Sequence, residues 1–197
     1  MTQRRKRPTD YGRAVGQLIG KNLMQNRALQ RIIPPYFKKD RKLPDAYGIL
    51  HEIDFVDDEQ EPTILIDSKY IKGQRHAREK ANEILTKLTL ISEAHPSVKL
   101  LIAVLAGAFT DDSKRTLSDR GIHVLHIPLK ILARNLRKYG LIIDWANKDR
   151  RTPRETWERY VSMSDEELDK IAEHFFDGTN IPDKLKKLIQ KSRTSTS

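Results

Sequence analysis

Residues 98–106 read VKLLIAVLA, an almost unbroken aliphatic run with Lys99 as its one charge. A run this apolar and this short fits a strand covered on both faces. Such strands belong to sheets with helices packed on either side. The flanking sequence supplies the helices. Residues 75–94 place apolar side chains at 77, 81, 84, 85, 88 and 91, a helical stripe. After the run, Thr110 or Asp112 can cap a short helix that Gly121 closes. IHVLHIP, 122–128, is then a second strand, parallel to the first if the intervening helix is a crossover.

Upstream, residues 46–71 read as a β-hairpin. Its expected strands are 48–56 and 63–71, joined by DDEQEP with Pro62 where the return strand starts. Residues 10–32 read as a helix with the stripe Tyr11, Val15, Leu18, Ile19 and Leu23, ended by Pro34 and Pro35. Gly12, Gly16 and Gly20 recur along one side of it. Each costs helix stability, which points to close packing against another backbone, with approach to a phosphate backbone as the second reading.

From Pro128 the chain reads as helices: 129–139 stopped by Gly140, 153–161 with Pro153 in its first turn, 164–176 with a Ser164–Glu167 capping box, and 181–191 before a frayed RTSTS tail. The expected fold class is therefore α/β: a mixed sheet with a β-hairpin and a parallel strand pair flanked by helices, plus C-terminal helices. The expected organisation is a core over 1–147 with a basic arm at 1–9, and a helical extension over 148–197.

The charge of the 197-residue chain is unevenly spread. Residues 1–42 hold 12 Lys and Arg against Asp10 and Asp40, which accounts for the whole net charge of +10. A basic third on a neutral body is the footprint of a polyanion binder; a solvated charged surface is the plainer reading. The absence of cysteine excludes disulfides and thiolate metal sites and suits a reducing cytoplasm. No apolar run approaches the ~20 residues of a membrane span. The basic N-terminus has no apolar stretch behind it, so no secretory signal is expected.

The hairpin carries the chemistry. Asp54 stands in its first strand, and Asp67 and Lys69 stand near the end of its second. By the two-residue period, Glu52 and Asp54 share a face, as do Asp67 and Lys69. A symmetric turn sets residue 67 opposite 52; a bulge or one-step shift brings it to 53 or 54. Neighbouring carboxylates repel unless a cation sits between them, and a hard divalent ion with oxygen ligands answers that need. Acid-x-Lys triplets also occur at Asp40-Arg-Lys42 and Asp112-Ser-Lys114, but only Asp67-Ser-Lys69 ends an aliphatic strand preceded by an acid-bearing strand. The competing reading is a hairpin whose charges pair across a solvated face.

The combination HEIDF…ILIDSK resembles the PD-(D/E)xK nuclease motif shared by type II restriction endonucleases, Holliday-junction resolvases and repair nucleases. The resemblance covers about residues 10–130. It implies that Asp54 and Asp67 are the metal-binding acids, that the Ser68 backbone carbonyl is a ligand, and that Lys69 is the catalytic lysine, with Glu52 a further candidate ligand. A literal Pro44-Asp45 pair also exists, 22 residues before Asp67, whereas Asp54 lies 13 before it and inside the strand. Many family members place a Glu in the preceding helix; residues 10–32 offer only Gln17, Asn22 and Gln25.

The implied cofactor is Mg2+, with Mn2+ able to substitute, and the implied partner is double-stranded DNA. Lys72, Gln74 and Arg75 would meet flanking phosphates, and Arg4, Arg5, Lys6 and Arg7 would add contacts from the arm. Within the superfamily the reading is a cytoplasmic, prokaryotic type II restriction enzyme. It would act as a homodimer, with a DNA methyltransferase encoded nearby. A junction resolvase and a non-catalytic DNA-binding module are the alternatives. The six histidines are scattered, with no His-x-x-x-His pair, and no Gly-rich phosphate loop is present. Trp145 and Trp157 read as packing residues rather than base-stacking ones.

Overall fold

The computed structural model describes residues 10–194. Arg4, Arg5, Lys6 and Arg7 lie outside the described residues. The chain forms a five-stranded mixed sheet in the order β1-β2-β3-β4-β5: Lys38–Pro44, Leu50–Val56, Ile64–Ile71, Leu100–Gly107 and His123–Pro128. The first three strands run antiparallel, and β3, β4 and β5 are parallel. This is the expected α/β class, with one strand more than expected. No helix among the described residues is long and apolar enough to cross a membrane.

The aliphatic run became the interior strand β4, buried over almost its whole length. The helix α3, Ala77–Ala94, and the short α4, Asp111–Ser118, cover one face of the sheet. In α3 the residues Ala77, Ala81, Ile84, Leu88 and Ile91 of the expected stripe are all buried. Thr110 caps α4, its Oγ1 accepting from Ser113 N at 3.2 Å, and Gly121 follows with φ 76°. The other face is covered by the first helix and by α5 (Leu129–Arg137), α6 (Arg151–Ser162), α7 (Asp165–Glu173) and α8 (Ile181–Thr194). The Ser164–Glu167 capping box forms. The last helix runs to Thr194, three residues further than the pattern indicated.

Two elements differ from the sequence reading. The first helix is continuous over the expected range but not uniform. It begins as α1, Tyr11–Gln17, widens to π-type winding over Leu18–Leu29, and ends in the α-type turn α2, Gln30–Ile32. The strand β1 was not foreseen. Its sequence KKDRKLP has no apolar alternation, because an edge strand pairs on one side only and Leu43 alone reaches the core.

The register of the β2–β3 hairpin also needed the structure. Asp57 Oδ1 accepts from both Thr63 N and Ile64 N at 2.9 Å, and Asp58 Oδ1 accepts from Gln60 N and Glu61 N. These acids fix the turn, and the strands pair Phe55 with Ile66 and Val56 with Leu65. Continuing that register sets Asp54 level with Asp67, two residues from the partner a symmetric hairpin would give it. Beyond Phe55 and Ile66 no further pairs form, so the two strands fork.

Candidate active site

Asp54 and Asp67 stand where the strands part, and both are buried. They do not share a face as the simple two-residue period predicts. Ile53 and Val56 pack into the layer under α3, while Phe55 packs into the opposite layer. Alternation therefore breaks at residues 53–54. Across the β1–β2 ladder, Lys39 pairs with Phe55 and Arg41 with Ile53, but the intervening Asp40 drops out of the pairing. Asp40 has φ 51°, a left-handed conformation uncommon outside glycine. At this unpaired position the Asp54 side chain meets Gln25 of the first helix.

Asp54 is held there by neutral donors. Gln25 Nε2 donates to its Oδ1 at 2.6 Å and to Asp40 Oδ1 at 3.0 Å. Ser68 N donates to its Oδ2 at 2.7 Å, and the Ser68 hydroxyl donates to the same oxygen. Of Gln17, Asn22 and Gln25, Gln25 hydrogen-bonds Asp54, while Gln17 lines the same cleft. Asp67 turns to the other layer, where Lys87 Nζ of α3 contacts its Oδ1 and also donates to the Glu52 carbonyl at 3.0 Å. The two carboxylates thus enter one cleft from opposite sides of the sheet.

The cleft has a volume of about 1200 Å³. Its walls include Lys69, the glycine side of the first helix, and the chain after β3. Of the three glycines, Gly20 shows the close packing expected, since a Cβ there would lie 3.3 Å from Tyr70 Cβ. Gly16 faces open space. Lys69 is half-exposed, with Glu83 Oε2 at 3.7 Å as its ion-pair partner. Lys72 Nζ donates to the Trp145 carbonyl at 2.8 Å and lies 4.6 Å over the Trp145 ring. Arg75 Nε donates to His76 Nε2 at 2.9 Å, and Gln74 opens the turn between them and β3. All three line the cleft, as do Arg13, Lys21 and Lys80.

Glu52 points its carboxylate at Lys21, 3.6 Å away. Asp45 of the Pro44-Asp45 pair closes a turn instead: its carboxylate accepts from Tyr47 N and Ile49 N and pairs with His51. Trp157 packs edge-on against Tyr11 in the core.

Asp40 and Lys87 were missed in the sequence. Asp40 sits in the unrecognised strand. Lys87 lies beside Leu88 on the edge of the buried stripe of α3, where a lysine can lay its stem on apolar surface and carry its charge inward.

Burial is the main cause, and the Asp67 charge the second, that pushes the Asp54 carboxyl up to about 7. Burial also raises Asp67, against the pull of Lys87. An acid whose folded pKa exceeds its unfolded value near 4 makes the folded state the better proton binder. Its charge therefore costs stability as pH rises from about 4 to about 7, and the cost persists above that. In EDTA the protein is expected to unfold more easily at pH 8 than at pH 5. Asp54→Asn should flatten that slope by a few kcal/mol at most, the scale of a shift of about three pKa units. Urea unfolding at the two pH values checks this; a variant that keeps the wild-type slope would locate the pH dependence elsewhere.

Among the described residues no group of three or more His, Asp or Glu is placed to hold a metal ion. The charged donors at the fork are two carboxylates, whose atoms are all oxygen. That set suits a hard divalent cation completed by water or substrate oxygens.

No family profile matches the sequence, and no curated protein does. Among solved structures, a protein of unknown function, AF1548, overlaps 85% of this chain and 94% of its own at 16% identity and a TM-score of 0.40. EndoMS in complex with double-stranded DNA overlaps 65% of this chain at 16% identity and a TM-score of 0.31. The aligned region spans about half, 49%, of the EndoMS chain. Likeness at this level leaves the functional reading to the site itself.

Proposed function

We propose that this chain is a Mg2+-dependent endodeoxyribonuclease that hydrolyses phosphodiester bonds in double-stranded DNA. The observation that carries the reading is the convergence of two buried, mutually repelling carboxylates with Lys69 in one open, basic-walled cleft at a strand fork. Burial raises both acids and the Asp67 charge raises Asp54 further, and a bound dication would recover that energy.

A cation held by Asp54, Asp67 and the Ser68 carbonyl would neutralise phosphate charge and lower the pKa of a water molecule. Ser68 N and Gln25 fix the Asp54 carboxylate in one orientation, so little ordering remains to be done on binding. Lys69 is exposed enough to leave Glu83 and meet the attacking water and the charge that develops on phosphorus. Lys72, Arg75 and Lys80 along the walls supply phosphate contacts, which position a duplex without reading its sequence. Within this class we favour a type II restriction enzyme working as a homodimer on a short palindrome, since two-fold DNA is matched by a two-fold protein.

The test is incubation of the protein with a mixed-sequence supercoiled plasmid, with Mg2+, with Mn2+ and with EDTA. Discrete linear fragments that require the metal are the expected result. Cutting confined to cruciform or branched DNA would move the reading to a junction resolvase. Binding without cutting in either metal would sink the catalytic reading.

A further inference from the structure

The hairpin joining β1 to β2 ends the stretch of β2 that has parted from β3, four residues before Asp54. Its tip carries the most exposed large apolar side chains of the described residues: Tyr47 is 81% exposed, Ile49 58% and Leu50 60%. Side chains that bury readily are here held in water by a stiff loop. Gly48 N donates to the Asp45 carbonyl at 2.9 Å, Gly48 has φ 79°, and Asp45 N donates to the Ile49 carbonyl. This is the three-residue hairpin loop closed by a left-handed residue. The Asp45 carboxylate, itself buried, ties down Tyr47 N, Ile49 N and His51. His95 Nε2 lies 3.1 Å from the Pro44 carbonyl and Leu43 is buried in the core, so the arm is anchored to the body.

We infer that this tip is an apolar wedge that enters a DNA groove beside the cleft and unstacks bases there. The inference rests on the nuclease reading for its ligand and adds a second contact to it. Charge decides the occupant. The strand that carries the tip presents Lys38, Lys39, Arg41 and Lys42 along the open edge of the sheet, with Asp40 the one acid among them. Arg41 pairs with Glu59 at 2.9 Å and Lys39 with Asp40 at 3.2 Å, while Lys42 has no ion-pair partner among the described residues. Two copies of the chain meeting edge to edge would set these cations against each other. A polyanion is drawn to them. Apolar side chains next to such a basic edge match the way groove-binding proteins insert wedges between base steps. Leu50 is four residues from Asp54, about 13 Å along an extended strand. That distance is about four base steps at 3.4 Å each, so one duplex can reach both.

The experiment compares full-length wild-type protein with the triple variant Tyr47→Ser, Ile49→Ser, Leu50→Ser, both in EDTA to prevent cutting. A mixed-sequence duplex is followed by fluorescence anisotropy and by permanganate reactivity of its thymines, and protein mass by sedimentation. Wild type should create reactive, unstacked thymines. The variant should bind at least tenfold more weakly and lose that reactivity at unchanged mass. Lys42→Glu, on the strand leading into the tip, should weaken binding yet keep reactive thymines at saturation. Equal affinity and equal reactivity in the triple variant would overturn the wedge. A fall from dimer to monomer would also overturn it, by assigning the patch to a second copy. Wild-type cleavage in Mg2+ is read in parallel. Cutting with an inert tip sinks the wedge alone, an active tip without cutting sinks the nuclease reading alone, and no duplex binding sinks both.

Discussion

Replacing Asp67 with Asn is expected to slow metal-dependent DNA cleavage by about a thousandfold or more, the scale on which one preorganised polar group acts in an active site. The side chain is 3% exposed, so its charge works in a poorly screened setting. Asn keeps the shape, and its oxygen can still accept from Lys87, so the fold should survive. DNA binding should hold or tighten, since a negative charge near phosphate has been removed. Lys87 makes this variant informative. It now balances Asp67 from α3, and in Asp67→Asn it would stand as an uncompensated cation at the cleft. Single-turnover cleavage and equilibrium DNA binding, measured on the same protein, check both halves. Near wild-type cleavage by Asp67→Asn would remove the fork as the reaction centre.

Lys69→Ala is expected to lose about a hundredfold to a thousandfold in rate, again the cost of one transition-state donor. Its effect should differ in kind from that of Asp67. Lys69 has one distant ion-pair partner and stands half in solvent, so nothing in the resting protein depends strongly on it. Mg2+ affinity should therefore stay within a few-fold of wild type while the single-turnover rate at saturating metal falls. Titration calorimetry for metal and rapid-quench cleavage for rate separate the two. A variant with weakened metal binding but a normal rate at saturation would make Lys69 part of the metal shell rather than a partner of the attacking water.

The opposed settings of the two acids give the cleft its character. Asp54 is held by neutral donors from Gln25 and Ser68 and keeps a pKa near neutrality, whereas Asp67 leans on the charge of Lys87. A dication arriving between them displaces a proton from one side and competes with an ammonium on the other. The proton exchange at Asp54 becomes easier to complete as pH rises through neutrality.

Much of this protein follows from its sequence alone. The run 98–106 dictated a doubly covered strand, the stripe from Ala77 to Ile91 dictated the helix that covers it, and Ser164 with Glu167 dictated a cap. These features are local: burial period and capping chemistry are written within a few turns of chain. The placing of acids on two adjacent strands was legible for the same reason.

What lay beyond the sequence depends on contacts between distant segments. A charged edge strand such as KKDRKLP makes little apolar demand, so β1 is stable only because β2 offers its free hydrogen-bonding edge. The left-handed Asp40 and the unpaired position opposite it go with the reversed facing of Asp54, which no two-residue period can reveal. Gln25 and Lys87, 29 residues before Asp54 and 20 after Asp67, become partners of those acids only when helices from opposite faces of the sheet close on the fork. Desolvation of the carboxylates arises in that same step, and it is what raises two ordinary acids above their usual range.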